Sequence, residues 1–422
     1  MTAATASHRR ILTASLVGTA VEFYDFYIYA TAAALVFPAL FFPASDPGVQ
    51  QLASYASFSL AFFARPLGGL VFGHFGDRMG RKSTLVASLM LMGLSTVLIA
   101  LLPTYAMVGW VAPALLCLLR FGQGLGLGGE WGGASLLAVE NAPKGWAYRY
   151  GSFPPMGAPV GFLFANGFYL LLGMWLTNAQ FLEWGWRLPF LASAVLVGLG
   201  LWVRLSLTET PAFVEAAEQA PPPRVPLGEL LRDHLLPTVA GTVGTVACFA
   251  LFYISTVFVI GYGTKVLGYD RETFLGLELI GILFMAAGII IAGIYADKWS
   301  GAKVLALGFV ITVPVGLTMA ALVVSGSMLS VFVWLAFALF TMGFAYGPLG
   351  GWLPSLFPAR VRYTGVSVTF NIGGIIGGGL TPLIAQSLSA GRGLEVVGYF
   401  LAGAGAVSLL GLAALRGRAA TA

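Results

Sequence analysis

The fold class follows from the stretch Arg120-Phe-Gly-Gln-Gly-Leu-Gly-Leu-Gly-Gly-Glu130-Trp-Gly-Gly, which places an arginine and a glutamate inside one long apolar run, Trp110 to Val139. A run of that length and polarity predicts a membrane-spanning helix. An ionised side chain near the bilayer centre costs on the order of 3 kcal/mol, so such residues usually face a partner or a water-filled path. The stretch therefore favours a transport protein over a membrane anchor.

The composition extends this prediction to the whole chain. Its 422 residues are 58% hydrophobic and only 9% charged, and the mean hydropathy is +0.88. Soluble domains carry about 25% charged residues, so the sequence predicts a polytopic, all-α membrane protein. The net charge of +5 is interpreted as a topology signal and not as affinity for nucleic acid.

Hydropathy divides the chain into twelve apolar segments around a polar centre. The polar interval, Ser206 to His234, is rich in proline and charge and predicts a linker between two six-helix halves. We therefore expect an N-terminal half at 1–205, a cytoplasmic linker at 206–235 and a C-terminal half at 236–422. The segments are 11–40, 51–72, 84–102, 107–139, 150–176, 187–206, 236–263, 273–296, 303–324, 329–356, 364–389 and 395–415.

The basic residues predict the orientation of the chain. If the N-terminus is cytoplasmic, 16 of the 22 lysines and arginines lie on that side and 4 on the other, while Arg65 and Arg120 lie within spans. The positive-inside rule then places both termini and the linker in the cytoplasm. A plasma (inner) membrane location with many spans follows.

A loop after the second segment recurs weakly in the second half. Gly73-His-Phe-Gly-Asp77-Arg78-Met-Gly-Arg81-Lys is echoed by Gly293-Ile-Tyr-Ala-Asp297-Lys, which has fewer basic residues. Asp77 can accept hydrogen bonds from a neighbouring helix end, and Arg78 and Arg81 can hold the turn at the anionic leaflet. We expect a contact between the halves here; the alternative is that the loop only sets topology. Parallel repeats of six spans are an arrangement of secondary transporters.

The first and fourth segments supply the expected proton-coupling residues. Counting from Ile11, Glu22 and Asp25 lie about 16 and 21 Å along the helix, and Arg120 lies at a similar depth from the other face. Gln123 shares a helix face with Arg120. Protonation of Asp25 or Glu22 would free the guanidinium for an anionic substrate. The alternative is a static ion network that fixes helix packing.

Further polar side chains complete the candidate site. Arg65 and Glu130 are expected nearer the cytoplasm, as a structural pair or an inner gate together with Asp77, Arg78 and Arg81. Glu278 lies about two turns into the eighth segment. One interpretation is that its side chain extends (snorkels) to the outer membrane surface. The second half offers aromatics and an amide for the uncharged part of a substrate, with core packing as the alternative reading: Tyr253, Tyr346, Trp352 and Asn371.

The sequence offers no nucleophile–base–acid set and no metal-ligand spacing, so neither an enzyme nor a cofactor is expected. The expected partners are protons, membrane lipids and a small organic anion or zwitterion, and a monomer is the default for this architecture.

Several motifs together resemble the metabolite:proton symporter branch of the major facilitator superfamily. They span the chain from the first segment to the eleventh. The sequence Gly185-Trp-Arg-Leu-Pro-Phe-Leu most resembles shikimate permease-like members. The motifs are Glu22-Phe-Tyr-Asp25-Phe, Ala64-Arg65-Pro-Leu-Gly-Gly, the loop at 73–82, Arg120-Phe-Gly-Gln-Gly, Gly128-Gly-Glu-Trp-Gly-Gly, Thr208-Glu-Thr-Pro-Ala-Phe and Arg362-Tyr-Thr-Gly-Val-Ser.

The resemblance implies a bacterial proton-coupled importer of shikimate, 2-oxoglutarate, citrate, or proline and betaine. The fifth segment departs from the pattern, because it reads Ser152-Phe-Pro-Pro-Met-Gly where a glutamine is expected before the glycine. We therefore expect import of an organic acid. An exporter of organic acids or drugs and a receptor without turnover remain the alternatives.

Overall fold

The computed structural model describes residues 3–43, 46–79, 81–128, 130–206, 226–359 and 361–415. Within these ranges, the side chains at 3–11, 14, 73–79, 81–85, 130, 202–206 and 226 are not described. All regular secondary structure in the described ranges is helical. Helices suit a chain of this hydropathy because they satisfy every backbone N–H and C=O within one segment, as a bilayer requires.

Twelve long helices run along the described part of the chain, as the hydropathy pattern predicts. Shorter helices lie at Phe37–Phe41, Tyr105–Val108 and Pro226–Asp233. The long ones are α1 (Ala3–Leu35), α2 (Pro47–Met79), α3 (Arg81–Ala100), α4 (Val111–Gly126 and Glu130–Glu140), α5 (Ala147–Trp175), α6 (Asn178–Gly185 and Arg187–Ser206), α7 (Leu235–Lys265), α8 (Arg271–Lys298), α9 (Gly301–Val323), α10 (Met328–Ser355), α11 (Arg362–Ser389) and α12 (Leu394–Ala413).

Length and composition support a membrane path for these helices. Nine described helices are long and apolar enough to cross a bilayer: α2, α4, α5 and α7 to α12. The two parts of α6 reach that length together, with a bend of 43° between them. The 33-residue α1 and the apolar stretch Val86–Ala100 of α3 complete the twelve. The prediction of an all-α membrane protein with two six-helix halves, α1–α6 and α7–α12, is confirmed.

Glycines allow the helices that carry the site to approach closely. A Cβ added at Gly124 of α4 would lie 2.3 Å from the carbonyl oxygen of Ala61 on α2. In the second half, a Cβ at Gly343 of α10 would lie 2.0 Å from the carbonyl oxygen of Met285 on α8. Small residues at such crossings are typical of helices packed within membranes. The α2–α4 crossing fixes the position of Arg120, one turn before Gly124, and of Gln123, the residue next to it.

Two π-helical segments interrupt helices at the boundary between the halves. One is Ile254–Phe258 in α7 and the other is Ile375–Gly379 in α11. Each segment contributes a carbonyl to a hydroxyl on α2: Tyr55 donates to the oxygen of Val257, and Ser59 donates to that of Gly379. Because a backbone carbonyl inside a bilayer needs a donor, these two bonds tie α2 to both irregular helices.

Candidate functional site

Arg120 is fully buried on α4 and is held by polar and aromatic neighbours. Its Nη1 donates to Oε1 of Gln123 at 2.9 Å, and its Nε donates to the carbonyl oxygen of Phe58 at 3.3 Å. The guanidinium carbon lies 4.0 Å from the ring centroid of Tyr29 and 4.3 Å from that of Phe26, so cation–π attraction adds to the hydrogen bonds. Among the described residues, Nη2 of Arg120 has no hydrogen-bond partner.

A short chain of hydrogen bonds connects Arg120 to Asp25. Nε2 of Gln123 donates to Oγ1 of Thr96 at 2.7 Å, and that hydroxyl lies 3.4 Å from Oδ2 of Asp25. The other oxygen of Asp25 accepts a hydrogen bond from Ser193 on α6, and Asp25 is only 1% exposed. The arginine therefore reaches the carboxylate through an amide and a hydroxyl, and no ion pair within 4 Å joins these two described side chains.

Glu22 lies at the junction of two neighbouring spaces. With Asp25, Arg120 and Gln123 it surrounds a small space of about 170 Å³. With Arg65 it also lines a larger space of about 570 Å³ between the two halves, part of which is open to solvent. The four residues predicted for proton coupling and anion contact thus lie around one point, and Glu22 connects that point to the larger cavity.

The larger cavity combines two charges of opposite sign with aromatic walls. Arg65 is buried, and its guanidinium carbon lies 4.5 Å from the Phe26 centroid and 4.8 Å from the Phe62 centroid. Such an arrangement offers a guanidinium for a carboxylate and ring faces for an apolar or cationic group. The cavity is lined by Glu22, Phe23, Arg65, Leu127, Gly128, Trp131, Gly132, Phe249, Tyr253, Ser367, Phe370 and Asn371.

The residues expected from the second half divide into two groups. Tyr253 and Asn371 line the larger cavity, and Nδ2 of Asn371 donates to the carbonyl oxygen of Gly128 at 3.1 Å. Tyr346 and Trp352 do not line it. The Tyr346 hydroxyl accepts from Trp131 at 3.1 Å, and the Trp352 ring packs against α7 at Gly244, where an added Cβ would lie 2.9 Å away.

Several residues at the site were not among the sequence candidates. The Trp131 ring stacks on Phe370 with centroids 3.7 Å apart and an interplanar angle of 4°, which joins α4 to α11. Trp131 belongs to the stretch quoted first above, and a single tryptophan among glycines is a sequence feature from which a site residue could have been predicted. Ser193 and Thr96 could have been noticed as polar residues in apolar helices. Phe26 has no sequence feature that separates it from other apolar residues of its helix.

The halves contact each other at both ends of the cavity. At the end that we name the Tyr55 end, Tyr55 donates to the Val257 oxygen at 2.9 Å and Lys265 donates to Oε1 of Gln51 at 2.6 Å. At the end that we name the Asp297 end, Asp297 forms an ion pair with Arg149 at 3.2 Å. The degenerate second loop copy thus joins the halves.

The first loop copy cannot be compared with it. The side chains of Asp77, Arg78, Arg81 and Glu130 lie outside the described residues. Their expected roles in a contact between the halves and in an inner gate remain predictions.

Comparison with known proteins points to transport. Residues 11–220 match the family described as "Sugar (and other) transporter". The chain is 49% identical over 411 residues to an inner membrane metabolite transport protein of Escherichia coli, covering 96% of this chain and 93% of that one. It is 37% identical to the Escherichia coli shikimate transporter (94% and 92% covered) and 32% identical to the Salmonella typhimurium proline/betaine transporter (93% and 80% covered).

Solved structures show the same fold. A D-xylose-proton symporter aligns with a TM-score of 0.73 at 16% sequence identity, covering 96% of each chain. At that identity the likeness concerns the fold alone.

Proposed function

Because the chain belongs to the metabolite transport proteins of the major facilitator superfamily, we propose that it is a proton-coupled symporter that imports a small organic acid by alternating access. The observation that carries this proposal is the hydrogen-bonded path from Asp25 through Thr96 and Gln123 to Arg120. It connects a carboxylate that can take a proton to a guanidinium that can take an anion.

Protonation of Asp25 would change the direction of hydrogen bonds along this path. An ionised carboxylate only accepts, whereas a protonated one also donates. Once Asp25 donates to Thr96, the hydroxyl can donate to the Met92 carbonyl oxygen, 2.9 Å away, and the amide of Gln123 can turn. That rotation would release Nη1 of Arg120, whose Nη2 has no described partner. A proton and an anion would then bind together.

The larger cavity supports an organic acid as substrate. Arg65 offers a charged fork for a carboxylate, and Asn371 and Ser367 offer hydrogen-bonding groups for hydroxyls. Trp131, Phe249, Tyr253 and Phe370 supply ring faces for the carbon skeleton. A cyclic hydroxy acid of the shikimate kind matches this set of groups. A di- or tricarboxylate would also reach past Glu22 to Arg120, which lines the smaller space.

A zwitterion such as betaine or proline is the second candidate substrate. It is favoured by Glu22, which faces the same cavity as Arg65. A carboxylate together with aromatic faces is suited to an ammonium group, while Arg65 would take the substrate carboxylate. A comparison of shikimate with glycine betaine therefore separates the two substrate classes.

The transport cycle follows from the two ends of the cavity. The bias of lysine and arginine would place both termini, the linker at 206–235 and the Asp297 end in the cytoplasm. The Tyr55 end would then face outward. The halves at 1–205 and 236–422 would rock about the cavity, so that one end opens while contacts hold the other.

Uptake by the purified protein in proteoliposomes tests the proposal. Radiolabelled shikimate, citrate and glycine betaine are offered with an inward proton gradient. For one proton carried with a singly charged anion, an inward gradient of one pH unit supplies about 1.4 kcal/mol, enough for roughly a tenfold accumulation. We expect accumulation of one of these probes that a protonophore abolishes. Accumulation that ignores the protonophore would contradict proton coupling, and accumulation only in everted vesicles would identify an exporter.

A further inference from the structure

The buried face of α8 carries a carboxylate about two turns from the start of the helix. Glu278 is 1% exposed, and both of its carboxyl oxygens are buried without a hydrogen-bond partner among the described residues. The same face continues with fully buried apolar residues at helical spacing: Phe274, Leu275, Ile282 and Met285. An amphipathic pattern would place an apolar residue at this position. Glu278 thus does not snorkel to a surface.

An ionised carboxylate at this position would be unfavourable. Burial of an unpaired charge carries a large desolvation cost, and an acidic group avoids that cost by taking a proton. Buried ionisable residues within spans commonly serve ion or proton pathways. Glu278 lines neither of the two spaces that surround Asp25 and Arg65. It is therefore separate from the site described above.

The position of Glu278 associates it with the Tyr55 end. Phe274, one turn before Glu278 on the same buried face, packs against α7 at Gly263, where an added Cβ would lie 2.7 Å from its ring. On the same part of α7, the Tyr55 hydroxyl donates to the carbonyl of Val257 and holds α2 against α7. The approach is close: an added Cβ at Gly261 would lie 2.5 Å from the Tyr55 hydroxyl. The buried face that carries Glu278 therefore packs on α7 next to a bond between the two halves.

The other titratable groups on neighbouring helices have partners of their own. Tyr169 on α5 donates to the Ile28 oxygen, Lys265 on α7 donates to Gln51, and Arg271 pairs with Glu272 at the start of α8. The Tyr262 ring on α7 packs against Phe258, and Tyr346, the one titratable residue of α10, receives the Trp131 bond. None of these described groups is recorded within ion-pair or hydrogen-bond distance of Glu278.

We propose that Glu278 is a second proton-binding site, whose protonation is a condition for closing the Tyr55 end. With that end open, water reaches Glu278 and the carboxylate exchanges protons with the outside. Closure buries the group, so that only the protonated, uncharged form is compatible with the Tyr55–Val257 contact. The proton leaves when the cycle exposes the carboxyl group to water again. This proposal rests on the proton-coupled cycle proposed above and adds a proton to it.

Glu278→Gln tests the proposal because glutamine keeps the shape of a protonated glutamate but cannot release a proton. Parent and variant are compared in proteoliposomes with the membrane potential clamped near zero and an inward gradient of about one pH unit. Each coupled proton then multiplies the accumulation ratio about tenfold. We expect the accumulation ratio of Glu278→Gln to be about tenfold lower. Glu272→Gln, in the first turn of the same helix, where the side chain is 27% exposed and pairs with Arg271, should match the parent.

Two outcomes would overturn the second site. The first is a parent-like accumulation ratio for Glu278→Gln. The second comes from infrared spectroscopy of the purified protein, which does not depend on transport. We expect a carbonyl-stretch band of a protonated carboxyl group that disappears in Glu278→Gln, and a spectrum without such a difference would contradict the proposal. Failure of the parent to accumulate shikimate, citrate or betaine would instead count against the proposed function, while the infrared result would still decide on Glu278.

Discussion

Asp297, at the end of α8, binds Arg149 twice: its carboxylate pairs with the guanidinium at 3.2 Å and accepts the Arg149 backbone N–H at 3.2 Å. It also accepts the backbone N–H of Tyr148 at 2.8 Å. The Asp297 side chain is 3% exposed and that of Arg149 is 27% exposed. The carboxylate thus satisfies the first amides of α5, and the ion pair adds to that contact at a partly solvated position.

We expect Asp297→Ala to open the Asp297 end more than Arg149→Ala does. The aspartate change removes charge-assisted bonds worth about 1.5 to 3 kcal/mol, while the arginine change leaves the backbone amides paired and removes an ion pair worth about 0.2 to 1 kcal/mol. The measurement is the labelling rate of a cysteine placed at Ser152 in a chain that lacks Cys117 and Cys248. Equal labelling rates in the two variants would show that the hydrogen bonds from the backbone amides do not help to keep the Asp297 end closed.

Arg120→Ala should abolish concentrative uptake. The guanidinium contacts Gln123 and the Phe58 carbonyl at once, and a lysine cannot reproduce that fork, so Arg120→Lys should also fail. Uptake driven by an imposed pH gradient measures this. Arg232→Ala is the control, because its side chain is 88% exposed. Full accumulation by Arg120→Ala would exclude the arginine from the mechanism.

Asp25→Asn should uncouple transport without unfolding the protein. Asparagine retains hydrogen-bonding capacity toward Ser193 and Thr96 but cannot carry the coupled proton. We expect substrate exchange between the two sides of proteoliposomes to continue while accumulation and its pH dependence are lost. Asp233→Asn, at a position whose side chain is 54% exposed, serves as the control. If the variant kept the pH dependence of the parent, Asp25 would not be the coupling residue.

The Trp131 contacts should set substrate affinity. Trp131→Phe keeps an aromatic ring against Phe370 but loses the N–H bond to Tyr346, and Tyr346→Phe loses the same bond from the other side. Each change should alter the uptake KM by about 2- to 13-fold, the equivalent of about 0.5 to 1.5 kcal/mol. Trp131→Ala should cost more because the ring stack is lost as well. If the double variant showed the sum of the two single effects on KM, the Trp131–Tyr346 hydrogen bond would not be the cause of either effect.

The helices could be predicted from sequence because hydropathy alone sets their number and limits. The central features of the site were predicted less completely. The helical spacing of Arg120 and Gln123 and the depth of Asp25 were accessible, because both depend on position within one helix. Thr96 and Ser193, which both contact the Asp25 carboxylate, lie on α3 and α6. No local sequence pattern predicts a contact between helices that are distant in the chain.

Side-chain direction limited the prediction in the second half. Tyr253, Tyr346 and Trp352 are alike as sequence candidates, since each is an aromatic residue in an apolar helix. Their surroundings differ in the fold: Tyr253 precedes a π segment and lines the larger cavity, whereas the Trp352 ring packs at Gly244. A π segment shifts the rotation of a helix by part of a turn, and the sequence pattern of an apolar helix does not show where such a segment occurs.

The carbonyls of Val257 and Gly379 impose a condition on opening at the Tyr55 end. Both lie in π segments, and both are satisfied by hydroxyls of the single helix α2. When α2 moves away, the two backbone oxygens lose these donors together, whereas Ser59 keeps the Tyr55 carbonyl of its own helix as an acceptor. Solvent must then supply the donors for both oxygens. Opening at this end is therefore a hydration step, and the ratio of open to closed molecules depends on the activity of water as well as on protons and substrate.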